Sequence, residues 1–166
     1  MKIYMALICK VGTPRKVLRE LLTLKVPRGD IFLLFGPLDI LIEFRELKNL
    51  NEYIQRWLNP IRMIGKDEGL IVKTLTLIVG QEGPSIREIP FAVVFLNTRP
   101  PKLEDVRRGI MSVPEALSAD SVFGPYDVVC PIRAKDMRDL ERVVLCIQTS
   151  VLGIESTLTC LVKEVY

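Results

Sequence analysis

The side chains best suited to bind a small ligand lie in a turn that occurs twice. Gly36-Pro37-Leu38-Asp39 recurs as Gly124-Pro125-Tyr126-Asp127, each time after a phenylalanine and before a β-branched apolar run. A glycine lets a ligand approach backbone N–H groups, and the carboxylates of Asp39 and Asp127 can accept hydrogen bonds from an ammonium group. The same carboxylates could instead satisfy N–H groups of the turns themselves, so both roles stay open.

Two threonines near the end of the chain add hydroxyl groups on one face of a predicted strand. Thr157 and Thr159 are separated by one residue, so their side chains point the same way. The same pattern occurs earlier as Thr74-Leu75-Thr76. Strand propensity alone also explains threonine at such positions. The predicted ligand-binding residues are Gly36, Asp39, Gly124, Tyr126, Asp127, Thr157 and Thr159.

The sequence contains no histidine, which restricts the chemistry that it can perform. Histidine-ligated metal sites, Ser-His-Asp triads and Cys-His pairs are excluded. Acid–base or nucleophilic groups would have to come from Asp39, Asp127, Glu43, Tyr126 or Cys130, and no pair among them has a telling spacing. We therefore expect no catalytic residues, no metal and no cofactor.

The four cysteines lie in apolar runs without any C-x-x-C spacing. They are typical of small buried side chains in a reducing compartment, although a disulfide or a reactive thiol stays possible. The first apolar run, Ile3 to Cys9, is too short to span a bilayer. We interpret it as a strand and expect a cytoplasmic protein. The formal charge of +3, without a cluster of basic residues, does not indicate nucleic-acid binding.

The recurring motifs divide the chain into two modules of similar order. Short continuous apolar runs and apolar patterns of period 3 to 4 follow one another in the order β-α-β-β-α-β in each half, which is the order of the ferredoxin-like α+β fold. The predicted boundaries are residues 1–82 for the first module, 83–90 for a linker and 91–166 for the second module. Pro131 falls inside a predicted strand, and because proline cannot donate to a ladder it belongs at a sheet edge or a bulge. We expect a bulge or distortion there, shared with the equivalent Glu43.

The strands are apolar on both faces, which has a consequence for assembly. In the first strand Ile3, Met5 and Leu7 share one face, while Tyr4 and Ala6 share the other. Two helices can cover one face of each sheet. We therefore predict that the helix-free faces pack sheet to sheet as an intramolecular pseudo-dimer of the dimeric α+β barrel type. Pairing between separate chains is the weaker alternative, because the linker keeps the partner module close.

These features resemble the effector-binding module of the Lrp/AsnC family of feast/famine transcription regulators, in tandem duplicate. The resemblance is carried by Gly124-Pro125-Tyr126-Asp127 with the following valines, and by Val151-Leu152-Gly153-Ile154 leading into Ser156-Thr157-Leu158-Thr159. The first copy matches more loosely, with Leu38 in place of Tyr126 and an altered approach to its last strand at Lys66 to Gly69.

The resemblance implies a ligand-binding and oligomerising protein. It predicts a face-to-face pair of modules, further assembly, and an amino-acid-like effector bound near the Gly-x-x-Asp turn. The helix-turn-helix domain of the family normally precedes the module, and because this sequence begins directly with the module, we expect no direct DNA binding. The leading hypothesis is a stand-alone sensor of an amino acid or related metabolite that acts through partners, such as full-length Lrp/AsnC regulators. A small cofactor-independent enzyme of the dimeric α+β barrel superfamily and a purely structural assembly module are the alternatives.

Overall fold

A computed structural model describes residues 1–166 and divides them into two compact units. The first unit comprises Met1–Ile78 and Lys163–Tyr166, and the second comprises Val79–Val162. Each unit combines helices with antiparallel strands in the predicted β-α-β-β-α-β order, which confirms the α+β class. No helix combines the length and the apolar character that crossing a membrane requires.

The first unit contains an antiparallel sheet in the order β4-β1-β3-β2. Its strands are β1 (Ile3–Cys9), β2 (Ile31–Phe35), β3 (Ile40–Phe44) and β4 (Ile71–Gln81), the last of which runs in this unit as far as Ile78. Its helices are α1 (Pro14–Thr23), α2 (Leu50–Tyr53) and α3 (Asn59–Arg62), with a π-helical turn at Ile54–Leu58 and a 3-10 turn at Lys66–Glu68.

The second unit repeats this plan with the strand order β8-β5-β7-β6. Its strands are β5 (Ala92–Thr98), β6 (Asp120–Phe123), β7 (Val128–Ile132) and β8 (Ile154–Val165). Its helices are α4 (Leu103–Met111) and α5 (Met137–Ser150). Asp136 caps α5 by accepting a hydrogen bond from the backbone N–H of Asp139 at 2.8 Å.

The division into units departs from the predicted boundaries at the strand ends. The first unit includes the end of β8, where Tyr166 exchanges backbone hydrogen bonds with Ile31 at 2.8 and 3.2 Å. The second unit includes the end of β4, where the backbone N–H of Gln81 donates to Ser121 Oγ at 3.0 Å. Residues 83–90, the predicted linker, form neither helix nor strand.

One face of each sheet packs against the helices of its unit. In the first unit, apolar residues of α1 and of the α2–α3 region surround the alternate β1 side chains Ile3, Met5 and Leu7. Trp57 and Tyr53, four residues apart and therefore on one side of the helical segment, belong to this core. In the second unit, Val94 and Leu96 of β5 pack with residues of α4 and α5. Each unit therefore has its own core between its helices and one face of its sheet.

The opposite faces of the sheets are buried as well. Tyr4 and Ala6, which alternate with the helix-facing residues of β1, are 3% and 0% exposed. Val93 and Phe95, which alternate with Val94 and Leu96, are 1% and 0% exposed. The expectation that both faces of each sheet are shielded from water is confirmed by these values.

One local prediction requires correction, and one helix departs from regular geometry. The register of β5 and β7 runs past Pro131 without a shift, so the expected bulge at this residue is wrong. The register shifts occur instead at Ile8/Cys9 and Asn97/Thr98, at equivalent places in the two units. The second helix of the first unit is also not regular, because Pro60 lacks the N–H that an α-helix requires and the chain adopts a π-helical turn just before it.

Candidate ligand-binding site

The two Gly-x-x-Asp turns have the same backbone and side-chain geometry. Gly36 and Gly124 adopt φ angles of 148° and 153°, which favour glycine over residues with a Cβ. The turn connects β2 to β3 in the first unit and β6 to β7 in the second. The repeat seen in the sequence is therefore a structural repeat at this position.

Each turn aspartate accepts a hydrogen bond from the end of the neighbouring strand. Asp39 Oδ2 accepts from the backbone N–H of Cys9 at 2.7 Å. Asp127 Oδ2 accepts from the backbone N–H of Thr98 at 2.8 Å, and the Thr98 hydroxyl lies 3.4 Å away. Both acceptors lie where the strand register shifts, because a bulge frees an N–H from the ladder. The turn aspartates thus satisfy backbone groups of β1 and β5, whereas the sequence suggested groups of the turns themselves.

The second oxygen of each aspartate has no hydrogen-bond partner within the protein. The protein hydrogen bonds of the two carboxylates all end on Oδ2, and both residues are half-buried. A carboxylate can accept several hydrogen bonds. Oδ1 of Asp39 and Oδ1 of Asp127 are therefore able to accept a donor from a ligand while Oδ2 holds the strand.

Tyr126 lies on the side of its sheet that faces away from the helices. Its ring is 5.2 Å from the ring of Phe95, measured between centroids. Burial raises the pKa of the Tyr126 hydroxyl, and the nearby Cys160 adds to the effect. In the first unit the equivalent residue is Leu38, which is 2% exposed and offers no polar group.

The structure does not bring Thr157 and Thr159 together with the turn. They pair with Leu96 and Val94, so their side chains lie on the helix-facing side of the sheet, opposite to Tyr126. The Thr157 hydroxyl accepts a hydrogen bond from Gln148 Nε2 of α5 at 2.7 Å. The matching residues of the first unit behave alike, since Thr74 accepts from Arg62 at 3.2 Å and Thr76 bonds Tyr53 at 2.9 Å.

A polar pair that sequence reasoning missed supports the second turn. Asn97 Nδ2 donates to the carbonyl oxygen of Pro125 at 3.0 Å, and Ser156 Oγ donates to Asn97 Oδ1 at 3.1 Å. These bonds connect β8 through β5 to the turn. The available signal was Asn97, a polar residue at the end of an otherwise apolar strand.

The first unit has a cleft beside its turn, with a volume of about 390 Å³. Gly36 and Asp39 line it together with two basic residues that sequence reasoning missed, Arg15 of α1 and Lys163 at the end of β8. The remaining lining residues are Gly12, Pro14, Leu33, Leu34 and Phe35. A volume of this size accommodates a small metabolite.

The charged side chains at and beside this cleft include Lys163 and Glu164 near the end of β8, and Arg15 of α1. Arg15 Nη2 donates to Glu164 Oε1 at 2.5 Å, and this bond raises the pKa of Arg15 and lowers the pKa of Glu164. Lys163 Nζ lies 5.9 Å from the centroid of the exposed Phe35 ring. The cleft therefore presents a carboxylate, a guanidinium and an ammonium group to one space.

Two of the groups considered for catalysis, Glu43 and Cys130, have surroundings that reduce their reactivity. Glu43 is 4% exposed and pairs with Lys2 at 2.8 Å and with Arg45 at 3.0 Å. Burial raises the pKa of the Cys130 thiol to about 12, and the charge of Asp120 adds to the effect. No group of three or more Cys, Asp and Glu side chains is arranged to hold a metal ion, and none of the four cysteines forms a disulfide.

Comparison with known proteins identifies a family for the second half of the chain. Residues 91–166 match the model of the Lrp/AsnC ligand binding domain. A search of curated proteins finds no match. TTHA0845 from Thermus thermophilus, known from a crystal structure, is 32% identical over 47% of this chain and 98% of its own, with a TM-score of 0.44.

Two further solved structures share the fold at low sequence identity. The siroheme decarboxylase NirDL, in complex with an iron-uroporphyrin III analogue, covers 99% of this chain and 72% of its own with a TM-score of 0.62 and 7% identity. A major regulator of staphylococcal pathogenesis covers 97% of this chain and 99% of its own with a TM-score of 0.52 and 11% identity.

Proposed function

Because residues 91–166 make the chain a member of the Lrp/AsnC ligand-binding domain family, we propose that it senses an amino acid or a related metabolite. The observation that carries this proposal is the pair of turn aspartates. Each fixes a strand through Oδ2 and keeps Oδ1 without a protein partner. An ammonium group is the donor that best suits such an oxygen, because charge-assisted hydrogen bonds are about twice as strong as neutral ones.

The turns also have the means to convey ligand binding to the rest of the protein. Asp39 and Asp127 hold the ends of β1 and β5, the strands that lie in the middle of their sheets. A ligand cation that binds Oδ1 draws negative charge towards itself, which weakens the hydrogen bond that Oδ2 accepts from the strand N–H. The proposed signal is therefore a change at the bulges of Cys9 and Thr98.

We propose that the sensor acts through assembly and partner proteins, without binding DNA itself. The small net charge of +3 supports this part of the proposal, since nucleic-acid-binding surfaces concentrate basic residues. The expected partners are further copies of the chain and full-length Lrp/AsnC regulators. We also propose the intramolecular pseudo-dimer that the strand pattern predicts. The burial of Tyr4 and Phe95, which lie on the helix-free faces of their sheets, supports it.

The surroundings of Cys130 and Glu43 favour a binding role for the protein over a catalytic one. The thiol of Cys130 is a poor nucleophile at neutral pH with a pKa of about 12. Glu43 is neutralised by its two basic neighbours. We therefore propose that the protein is not an enzyme, and turnover of a substrate that depends on Asp39 or Asp127 would contradict this.

A thermal-shift screen with the amino acids tests the sensor proposal. A ligand at 100 times its dissociation constant stabilises a protein by about 2.7 kcal/mol, which raises the melting temperature by about 5–10 °C for this chain length. The double variant Asp39→Asn, Asp127→Asn should lose the shift, because an amide keeps an acceptor for the strand N–H but not the charge.

Asp67→Asn provides the matched control for this screen. Asp67 is exposed, lies in the 3-10 turn and does not line the cleft beside Asp39, so its variant should respond to ligand like the original protein. If no amino acid shifts the melting temperature of the original protein, the sensor proposal fails.

A further inference from the structure

The two modules differ in the charge that they place beside their equivalent turns. Lys163 lies three residues beyond Cys160 of β8, and Gly80 lies three residues beyond Leu77 of β4. Cys160 and Leu77 are equivalent, because they pair with Val93 and Tyr4 at the same place in the two sheets. A lysine in the first unit thus corresponds to a glycine in the second.

The helix residue beside the turn is also more positive in the first unit than in the second. Arg15 and Glu104 each precede by two residues a fully buried valine, Val17 in α1 and Val106 in α4. Arg15 lines the cleft of the first unit. Glu104 places a negative charge at the equivalent position and pairs with Arg107 at 2.9 Å.

The aromatic residue before the turn also takes a different position in each unit. Phe35 lies beside Lys163, with 5.9 Å between Nζ and the ring centroid. The equivalent Phe123 lies against the backbone of Gly80, where an added Cβ would come within 2.7 Å of ring atom Cε2. The phenylalanine ring in the second unit therefore covers the surface that the lysine occupies in the first.

We propose that the modules have divided their roles, and that the first unit binds an acidic amino acid in the cleft of Arg15, Asp39 and Lys163. Asp39 Oδ1 accepts the ligand ammonium group, and the two basic side chains bind its carboxylates. Arg15 and Lys163 line the cleft with Asp39, whereas Glu164, which pairs with Arg15, is not among the lining residues. A ligand with two carboxylates can bind both cations, which favours it over a ligand with one acid group. The second unit, with Gly80 and Glu104 at these positions, lacks the complementary charge. This inference specifies the ligand class and the location of the site within the sensor function proposed above.

Isothermal titration calorimetry with L-glutamate and L-alanine tests the inference on the whole chain. We expect one glutamate bound per chain and affinity for alanine lower by at least about tenfold, since the loss of a hydrogen bond to a charged group has at least this effect. Lys163→Met should weaken glutamate binding about tenfold, and Lys163→Arg should restore it by keeping the charge.

Two matched variants locate the site. Arg19→Met removes an equal charge from an exposed position of α1 outside the cleft and should leave the affinity for glutamate unchanged. Asp39→Asn should abolish glutamate binding, and Asp127→Asn should not. Lys163 is exposed, so its variants are expected to fold, which the melting temperature verifies.

The outcomes separate this inference from the proposed function. Two equal sites per chain, or a loss of binding in Asp127→Asn alone, would overturn the division of roles but leave the sensor intact. Binding of a neutral amino acid that Lys163→Met does not affect would overturn the acidic ligand class in the same way. If neither glutamate nor any other amino acid binds, both proposals are overturned.

Discussion

The carboxylate of Asp127 holds the backbone N–H of Thr98 at 2.8 Å, at the point where β5 leaves the register of β8. Removing this acceptor leaves a part-buried donor without a partner, which costs about 1–3 kcal/mol. We therefore expect Asp127→Ala to lower the free energy of unfolding by this amount, measured by urea denaturation. Asp127→Asn should cost less because its amide oxygen can replace Oδ2, and equal losses in the two variants would contradict the structural role.

The burial of the helix-free sheet face can be measured at Phe95. Its side chain is 0% exposed, and replacing a buried phenylalanine by alanine typically costs about 3–5 kcal/mol. We expect Phe95→Ala to destabilise the protein to this extent in urea denaturation. Phe123→Ala is the control, since Phe123 is 69% exposed and should change stability little. A small effect at Phe95 would mean that this face is not packed in solution.

Stability should decrease in acid because of the ion pairs around Arg142. Hydrogen bonds from Arg142 lower the pKa of Glu115 below its ordinary 4.5, and hydrogen bonds from Lys135 N–H and Arg142 lower the pKa of Asp139 below 3.8. Lowered values in the folded state mean that the stabilisation is complete above the ordinary values. It is lost as the pH falls through the folded-state values.

The measurement is the urea midpoint as a function of pH between neutrality and strong acid. Arg142→Met should reduce the decrease in the acid range, because both carboxylates lose the guanidinium and Asp139 keeps only the hydrogen bond from the Lys135 N–H among those that lower its pKa. Because the groups are exposed, the effect should also diminish at high salt. An unchanged acid profile in Arg142→Met would show that other carboxylates determine it.

The four cysteines should differ sharply in reactivity. Burial raises the pKa of both Cys9 and Cys130 to about 12, so at pH 8 only about one thiol in ten thousand is ionised. Cys146 is only partly buried, whereas the other three cysteines are buried. We expect a thiol reagent to modify Cys146 first in the native protein, as followed by peptide mass spectrometry, and Cys146→Ser to remove the fast phase. Early modification of Cys130 would indicate local opening of β7.

The sequence predicted the elements whose signals are local. The helical spacing around Trp57 and the short apolar runs of the strands indicate the element order and both cores, because the spacing of apolar residues determines which surfaces are buried. The repeated turn located Asp39 and Asp127 for the same reason. The prediction at Pro131 is wrong, since a proline can occupy a regular register position where the ladder needs no N–H donor from that residue.

The parts of the site that depend on distant segments could not be predicted. Arg15 and Lys163 belong to opposite ends of the chain and meet at one cleft because the end of β8 belongs to the first unit. The sequence predicts Thr157 and Tyr126 in one ligand site, but they lie on opposite faces of the sheet. Which face a strand residue occupies depends on register rather than on composition.

The location of the end of β8 also determines when the first unit can be completed. Tyr166 packs against the core of Met1–Ile78, and its backbone bonds Ile31. During synthesis these residues emerge from the ribosome after the whole of Val79–Val162. The half of the protein that is translated first is thus the half that finishes folding last, and the cleft lined by Arg15, Asp39 and Lys163 stays unformed until translation has passed Lys163.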